Sequence, residues 1–424
     1  MHTPFARTAF HAHKTLGVVS VGLLIVLTGL ALTNSAVQAE SLFAREALGE
    51  WIEGYDMRGA ALGATGVGTI DPYNLSALNP AAGAWAPFVL GYIGMEGTVN
   101  WTDDGQSTSR RTAGTVSGVG LVVPVGKGWG LRFLLRPQTD GTYGYEGIVP
   151  IGSEAPEANT HREEGSRGLL SYSADLTFRP ATSLAIGLRG GVLAGSMLDK
   201  TSYDFGDSGW VNTDDRRTMR CEPTIRYGAG FQWTPRGRVS FGAAAVLGET
   251  LTLDETYTAP GGTDYESARY ELDHPATYAG GLAVFVTPRW RVSADMVHRE
   301  WEDLDFTHDG EMIEDVFRLR NTTSYGIGLE RVLGERTPGR SAWSKLAWRF
   351  GYAYLPWYAE DAGGALFEEH RFSFGLGIPI KQDRGSLDVL LAYGLRGDEE
   401  KNGIAEEYFR IGLGAVFGPV PRGY

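Results

Sequence analysis

The amino-acid sequence predicts an all-β fold: a 14-stranded antiparallel transmembrane β-barrel with a small N-terminal lumenal plug. Three observations lead there. The chain opens on an export leader, its body is written in long segments of period two, and the connections between those segments alternate short and long.

The leader comes first. Arg7 and Lys14 precede the apolar run LGVVSVGLLIVLTGLALT, and Val37-Gln38-Ala39 supplies a small-residue cleavage site before Glu40. Basic, apolar and small-residue regions in that order read as a secretory signal peptide over residues 1–39, with an uncleaved anchor helix as the alternative. Beyond it no stretch is long and apolar enough for a transmembrane helix. The one cysteine, Cys221, excludes an intramolecular disulfide framework and has no motif around it that would make it a nucleophile. The formal charge of −13 becomes more acidic still when Arg7 and Lys14 leave with the leader, which argues against a nucleic-acid partner. With 59 glycines and an ordinary 42% of hydrophobic residues, the composition suits a barrel whose lipid and lumen residues alternate.

The body shows that alternation directly. In WRFGYAYLPW (348–357) the residues Trp348, Phe350, Tyr352 and Tyr354 share one face, and Arg349, Gly351 and Ala353 the other. GLLSYSADLTFRP places Leu170, Tyr172, Ala174, Leu176 and Phe178 against Ser171, Ser173, Asp175 and Thr177. RFSFGLGIPI sets Phe372, Phe374, Leu376 and Ile378 against Arg371, Ser373, Gly375 and Gly377. A soluble sandwich uses strands of about five or six residues. Runs of about ten are what a tilted strand needs to cross a bilayer core. The aromatic face is therefore assigned to lipid.

Taken in order, strands are expected near 85–101, 112–124, 128–146, 166–178, 183–200, 218–234, 238–255, 274–287, 289–303, 319–332, 344–357, 369–380, 386–397 and 405–417. An even number returns the chain to the side where the barrel began. Short connections fall at 124–128, 179–183, 234–238, 287–289, 334–342 and 381–385, and longer polar ones at 147–165, 201–217, 256–273 and 304–318. Short periplasmic turns and long external loops are the habit of bacterial outer-membrane barrels. A soluble two-domain β protein would explain neither this asymmetry nor the leader. Trp85, Trp101, Trp129, Trp233, Trp290, Trp301 and Trp357 sit at strand ends, as interfacial girdles do. In the last strand, Phe409, Ile411, Leu413, Ala415 and Phe417 are expected to face lipid, ahead of the tail GPVPRGY. The chain thus divides into leader (1–39), plug (40–84), barrel (85–417) and tail (418–424).

Parity also names the inside. Arg132, Arg136, Arg189, Arg226, Arg291, Arg299, Arg349, Arg371 and Arg410 point inward with Asp295, Glu330 and Asp388. A charge in hydrocarbon costs about 2–4 kcal/mol at the midplane. Ion pairing is the plain role for such residues. The functional one is that Arg132, Arg136, Arg189, Arg226, Arg349 and Arg371 include guanidinium groups that grip an anionic headgroup or carboxylate.

Residues 40–84 do not alternate. SLFAREALGEWIEG offers Ser41 as a helix N-cap with Leu42, Leu48 and Ile52 near helical spacing, and a Gly/Ala-rich stretch follows through Asn79-Pro80-Ala81. Folding back into the lumen would bury these apolar side chains. The glycines of GATGVG lack the Lys-Ser/Thr of a phosphate loop.

On RGAALGATGVGTIDPYNLSAL followed by Asn79-Pro80-Ala81, on HPATYAGGLAVFVTPRWRVSADMVHREW and on NTTSYGIGLERVL with KLAWRFGYAYLPW, the chain resembles the FadL family of outer-membrane transporters for long-chain fatty acids and other hydrophobic compounds. GTIDPYN departs from the family's plug pattern, and related barrels in secretion and surface attachment share the Gly-rich start. The resemblance implies passive uptake of a hydrophobic small-molecule ligand in a Gram-negative outer membrane, with Asn79, Pro80 and Ala81 in the plug. It also implies a kinked third strand through which ligand leaves sideways. Pro137 interrupts that strand and marks either the gap or the strand's exposed extension. The alternatives are a structural or adaptor barrel of a secretion or attachment system, and a general polar porin. Outer-membrane lipid, lipopolysaccharide and, during biogenesis, the barrel assembly machinery are the expected partners; no cofactor is expected. HExxH, GxSxG and Cys/His clusters are absent from the sequence, and His161, His274, His298, His308 and His370 are scattered. A Ser-His hydrolase at the lumen or rim is the enzymatic alternative. The acidic loop EDLDFTHDGEMIED lacks EF-hand spacing and reads as a solvated loop.

Overall fold

The computed structural model describes residues 41–45, 48–105, 108–148, 160–205, 212–235, 237–258, 264–302, 306–308, 311–312, 319–332, 346–360, 364–380 and 384–418. The leader, most of the acidic 302–315 loop, the turn at 334–342 and the tail after Gly418 lie outside the described residues.

Fourteen antiparallel strands close a barrel. They are β1 (Leu90–Asp103), β2 (Thr108–Gly126), β3 (Trp129–Pro137, resumed at Tyr143–Ile148), β4 (Thr160–Ala181), β5 (Leu184–Asp204), β6 (Thr213–Trp233) and β7 (Val239–Gly248, resumed at Leu251–Thr258). The circuit continues with β8 (Asp264–Leu272 and Ala276–Thr287), β9 (Trp290–Glu300), β10 (Thr322–Arg331), β11 (Ala347–Glu360), β12 (Leu366–Pro379), β13 (Gly385–Asp398) and β14 (Ile404–Phe417). β14 pairs with β1 from Gly91 opposite Phe417 to Asp103 opposite Ala405. The expected aromatic face is outside: Phe350 and Phe372 are about half exposed, whereas Arg349 between their rows is buried.

Several strands run past the membrane. β4, β5 and β6 have 22, 21 and 21 residues, and at about 3.3 Å per residue each outspans a hydrocarbon core of about 30 Å. Much of what the sequence suggested as loop at 147–165, 201–217 and 256–273 is therefore strand. The polar alternation there is a ladder standing in water.

The N-terminal segment carries a single 3-10 turn (Leu42–Arg45), the helix α1 (Met57–Ala61) capped by Asp56, and a 3-10 turn (Pro80–Trp85) capped by Asn79. The helical spacing from Ser41 thus yields only one turn, because Gly49 takes φ +81° and Glu50–Trp51 then pairs in extended form with Thr139–Asp140. Because Pro80–Trp85 is helical, the first barrel strand starts at Leu90 rather than at residue 85. The segment touches Gly351 of β11, Gly281 of β8, Gly230 of β6 and Gly187 of β5. A segment in contact with strands all round a closed wall lies inside it. These approaches need glycine: a Cβ on Gly351 would stand 2.0 Å from the Gly63 nitrogen.

Candidate functional site

The small faces of the alternating strands are the floor on which the N-terminal segment rests, and the inward arginines decide how firmly. On one wall the charges close into a lattice. Glu330 on β10 accepts from Arg58 of α1 at 2.9 Å, from Arg349 Nε at 2.9 Å and from Arg291. Arg58 also pairs with Asp71 at 2.6 Å, and Arg349 with Asp388 on β13. Nearby, Asp295 takes the backbone N–H groups of Gly66 at 2.6 Å and Val67 at 2.7 Å. Burial alone would push the Asp71 carboxyl up, but the guanidinium groups of Arg58 and Arg291 outweigh it and hold Asp71 below the usual carboxylate range. Asp56, the α1 cap, has no such excess of cations, and burial raises it despite the N–H groups of Gly59 and Leu75.

Asn79, Pro80 and Ala81 sit on β5 and β6. Asn79 Oδ1 accepts from the Ala81 nitrogen at 3.0 Å, while its Nδ2 donates to the Val67 carbonyl at 3.0 Å and to Phe231 on β6 at 2.9 Å. Pro80 lies over Gly187, and Ala81 is fully buried. Arg132 and Arg189 share Asp175, each through Nε at 2.7 Å. Arg132 then donates to the carbonyls of Ser76 and Asn79 at 2.9 Å, and Arg189 to that of Ala77. Arg371 is spent on Glu369 and on the Tyr408 hydroxyl at 2.7 Å. So Arg132, Arg189, Arg349 and Arg371 are tied to carboxylates.

Arg136 and Arg226 are different, although Arg136 also donates to the Ile52 carbonyl of the segment at 3.2 Å and to that of Pro137 at 3.0 Å. Both donate to Gln138 Oε1, at 2.9 and 2.7 Å, and neither has a carboxylate partner among the described residues. Arg226 is buried, with Nε unpartnered. Together with Trp51, Arg189 and Arg299 they line a cavity of about 20 Å³, the size of a water or two. Beside it, Phe43, Leu48 and Trp51 of the N-terminal segment fill an apolar chamber against Trp301, Trp357 and Tyr358. What remains open there is about 90 Å³, lined in part by Tyr55, Met57, Arg299 and Arg371.

Both features meet a break in the wall. The β2–β3 ladder ends at Val119 opposite Leu135, leaving the 108–118 edge of β2 without a partner on that side among the described residues. Gln138 donates its N–H to Leu169 on β4 at 2.7 Å. Successive N–H groups of a strand point oppositely, so the nitrogen of Pro137, which has no hydrogen, faces β2, where the ladder stops. The chain then turns inward: Gln138, Thr139 and Thr142 are buried, and Thr139–Asp140 pairs with Glu50–Trp51. The inward turn nests against Gly168, where a Cβ would lie 2.1 Å from the Thr139 carbonyl. Pro137 thus lies two residues past the last β2–β3 pair, and the strand resumes at Tyr143, which is buried. Gln138, Asp175 and the inward glycines are the site residues that sequence reasoning missed. A glycine at every second position opposite an aromatic face was the available signal for the last.

A family model described as BamG matches residues 23–418. A FadL homologue of Pseudomonas aeruginosa superposes with a TM-score of 0.60 at 15% identity, covering 87% of this chain and 99% of that one. The toluene transporters TbuX of Ralstonia pickettii (TM-score 0.56, 15% identity, 86% and 98% covered) and TodX of Pseudomonas putida (0.55, 16%, 87% and 98%) share the same architecture. No curated protein matches the chain significantly.

Proposed function

The chain belongs to the BamG family and has the barrel fold of the FadL type, that of bacterial outer-membrane proteins, and on that premise we propose that it passes hydrophobic molecules from outside into the outer membrane through its own wall. One observation carries this reading: at Pro137 strand β3 leaves the wall for the lumen, and β2 keeps an unpartnered edge. In hydrocarbon an unsatisfied backbone group costs several kcal/mol, on the order given for buried amides, so a break of this kind is retained where water, protein or passing ligand covers it. The N-terminal segment, residues 40–84, serves as plug and gate, with Asn79, Pro80 and Ala81 at its seat on β5 and β6.

Arg136 and Arg226 supply the ligand's polar end with a partner. Two guanidinium groups that share one amide oxygen and no carboxylate are suited to an anionic head such as a fatty-acid carboxylate. The adjoining chamber of Trp51, Trp301 and Trp357 suits its apolar chain. The transporters of toluene noted above act on apolar ligands, in keeping with that chamber. A second reading, an adaptor barrel beside the barrel assembly machinery to which the family's name points, is favoured by how fully the N-terminal segment occupies the chamber.

Uptake of a labelled hydrophobic substrate by cells or proteoliposomes separates the two. Pro137→Val returns an N–H to the β2-facing side and lets the ladder lengthen. The expected result is a normally folded, heat-modifiable protein with uptake slowed severalfold and small polar solutes unaffected. Parental uptake in the variant would remove the lateral route, and an absence of uptake in both proteins would favour the adaptor.

A further inference from the structure

We propose that the opening beside β3 is a seat for the phosphorylated headgroup of an outer-leaflet lipid, a role independent of anything the barrel transports. Where β3 turns inward, the wall holds a cleft of about 480 Å³ bounded on one side by Arg110, Arg111 and Thr112 of β2 and on the other by Arg162, Glu164 and Lys200 of β4 and β5. The cleft is cationic. Arg162 pairs with Glu164, and Lys200 stands 3.6 Å from Asp214. Glu146, opposite Arg162 on the resumed part of β3, is a further carboxylate in the neighbourhood. Arg110 and Arg111 have no ion-pair partner among the described residues.

These two arginines flank the opening in a useful way. Arg110 lies opposite Trp101, which is exposed on the outer face, and its guanidinium stands 5.8 Å from that ring. Arg111 lies opposite Asn100, which is buried, so it points through the wall toward the lumen. One guanidinium therefore approaches the cleft from the membrane side and the next from within. Both belong to the edge of β2 that has no strand partner on that side among the described residues, and the carboxylates of Glu164, Glu146 and Glu406 act on Arg111 only through space.

The depth of the cleft selects the ligand. Along the outer face of β4 the residues change from Leu176, Tyr172 and Leu170 to Ser166, Glu164 and Arg162. On β5 the change is from Leu188 and Val192 to Lys200. Apolar side chains mark the hydrocarbon and polar ones the headgroup layer, so the cleft opens where headgroups lie, directly above the acyl chains. Planar guanidinium groups bind phosphate oxygens in pairs as they do carboxylate oxygens, so it is the position of the cleft in the headgroup layer that argues for a phosphate. A lipid seated this way would also cover the bare backbone edges of β2 and of Tyr143–Ile148.

The test uses the full protein reconstituted in nanodiscs containing a bis-phosphorylated lipid A, its dephosphorylated counterpart, or phosphatidylcholine alone, with retained lipid read by native mass spectrometry after release into detergent. The expected result is retention of the phosphorylated lipid only, reduced at least tenfold in Arg110→Gln/Arg111→Gln and unchanged in Lys127→Gln, which lies in a turn at the other end of β2. Heat-modifiable mobility confirms folding of each variant. Equal retention of the dephosphorylated lipid, or undiminished retention in the double variant, overturns the proposal. If inorganic phosphate displaces the lipid at equal concentration, the site takes free phosphate and the lipid assignment falls. Failure of both lipids to be retained by the parent overturns it outright, and leaves the uptake experiment unaffected.

Discussion

Two walls of the same lumen treat arginine in opposite ways. On β10, β11 and β13, Glu330 and Asp388 answer Arg58, Arg291 and Arg349, so that the N-terminal segment is bolted to the barrel by a balanced lattice. Across the lumen, at β3 and β6, Arg136 and Arg226 share the oxygen of Gln138 and have no ion-pair partner among the described residues. Buried cations without counter-ions cost stability. Arg132 and Arg189 beside them are answered by Asp175, so the contrast lies in this one pair, set next to the place where β3 turns inward.

The largest expected effect comes from breaking the balanced wall. Glu330→Gln leaves three guanidinium groups around one neutral amide, and removing one partner of a buried pair typically costs about 3–5 kcal/mol. Denaturant unfolding in detergent should show a loss of that order, and single-channel conductance should rise as the segment loosens. A variant as stable and as tightly closed as the parent would show that the lattice does not hold the segment.

A smaller effect of opposite sign is expected on the other wall. Arg226→Met removes a buried cation that no carboxylate answers, and relief of its desolvation should leave the empty barrel equally stable or stabilise it by about 1–3 kcal/mol. Binding of a long-chain carboxylate, followed by isothermal titration, should weaken at least tenfold. Destabilisation by Arg226→Met would mean that the two walls do not differ in kind.

The mildest probe is acid. Asp71 is held below its usual range by Arg58 and Arg291, so its contribution is present above its unfolded value and is lost as pH falls through the lower folded one. Asp56 is raised by burial, so its contribution runs the other way, present at low pH and lost as pH climbs through the folded value. Lowering pH below about 4 should therefore weaken the Asp71 bolt while relieving Asp56. Amide exchange across 57–71 should quicken only at the acid end, and Asp71→Asn should remove that acid step. Exchange that quickens toward neutral pH instead would place Asp56 in control.

Much of the barrel was legible because a strand between lipid and lumen must alternate. Trp348, Phe350 and Tyr352 had only one tolerable side, and Arg349 had only the other. The same constraint placed all nine inward arginines without a contact map. It could not tell Arg349 from Arg226, because whether a lumenal arginine meets a carboxylate depends on which strand stands opposite, and on the path of a segment that has no period. Glu330 was visible as an inward residue; that three arginines from α1, β9 and β11 converge on it was not.

Pro137 shows the same division at a single position. Its missing N–H was plain in the sequence, and so was the consequence that some ladder bond would be lost. Which neighbour lost it, and whether the site lay in the wall or above it, required the direction of the Gln138 N–H and the inward turn of Thr139–Asp140. Local periodicity determined the strands, their number and their two faces, since each strand answers to the same two solvents wherever it lies. Tertiary structure decided the ion pairs, the seat of the N-terminal segment and the end of the β2–β3 ladder, since these depend on residues far apart in sequence whose approach no local pattern encodes.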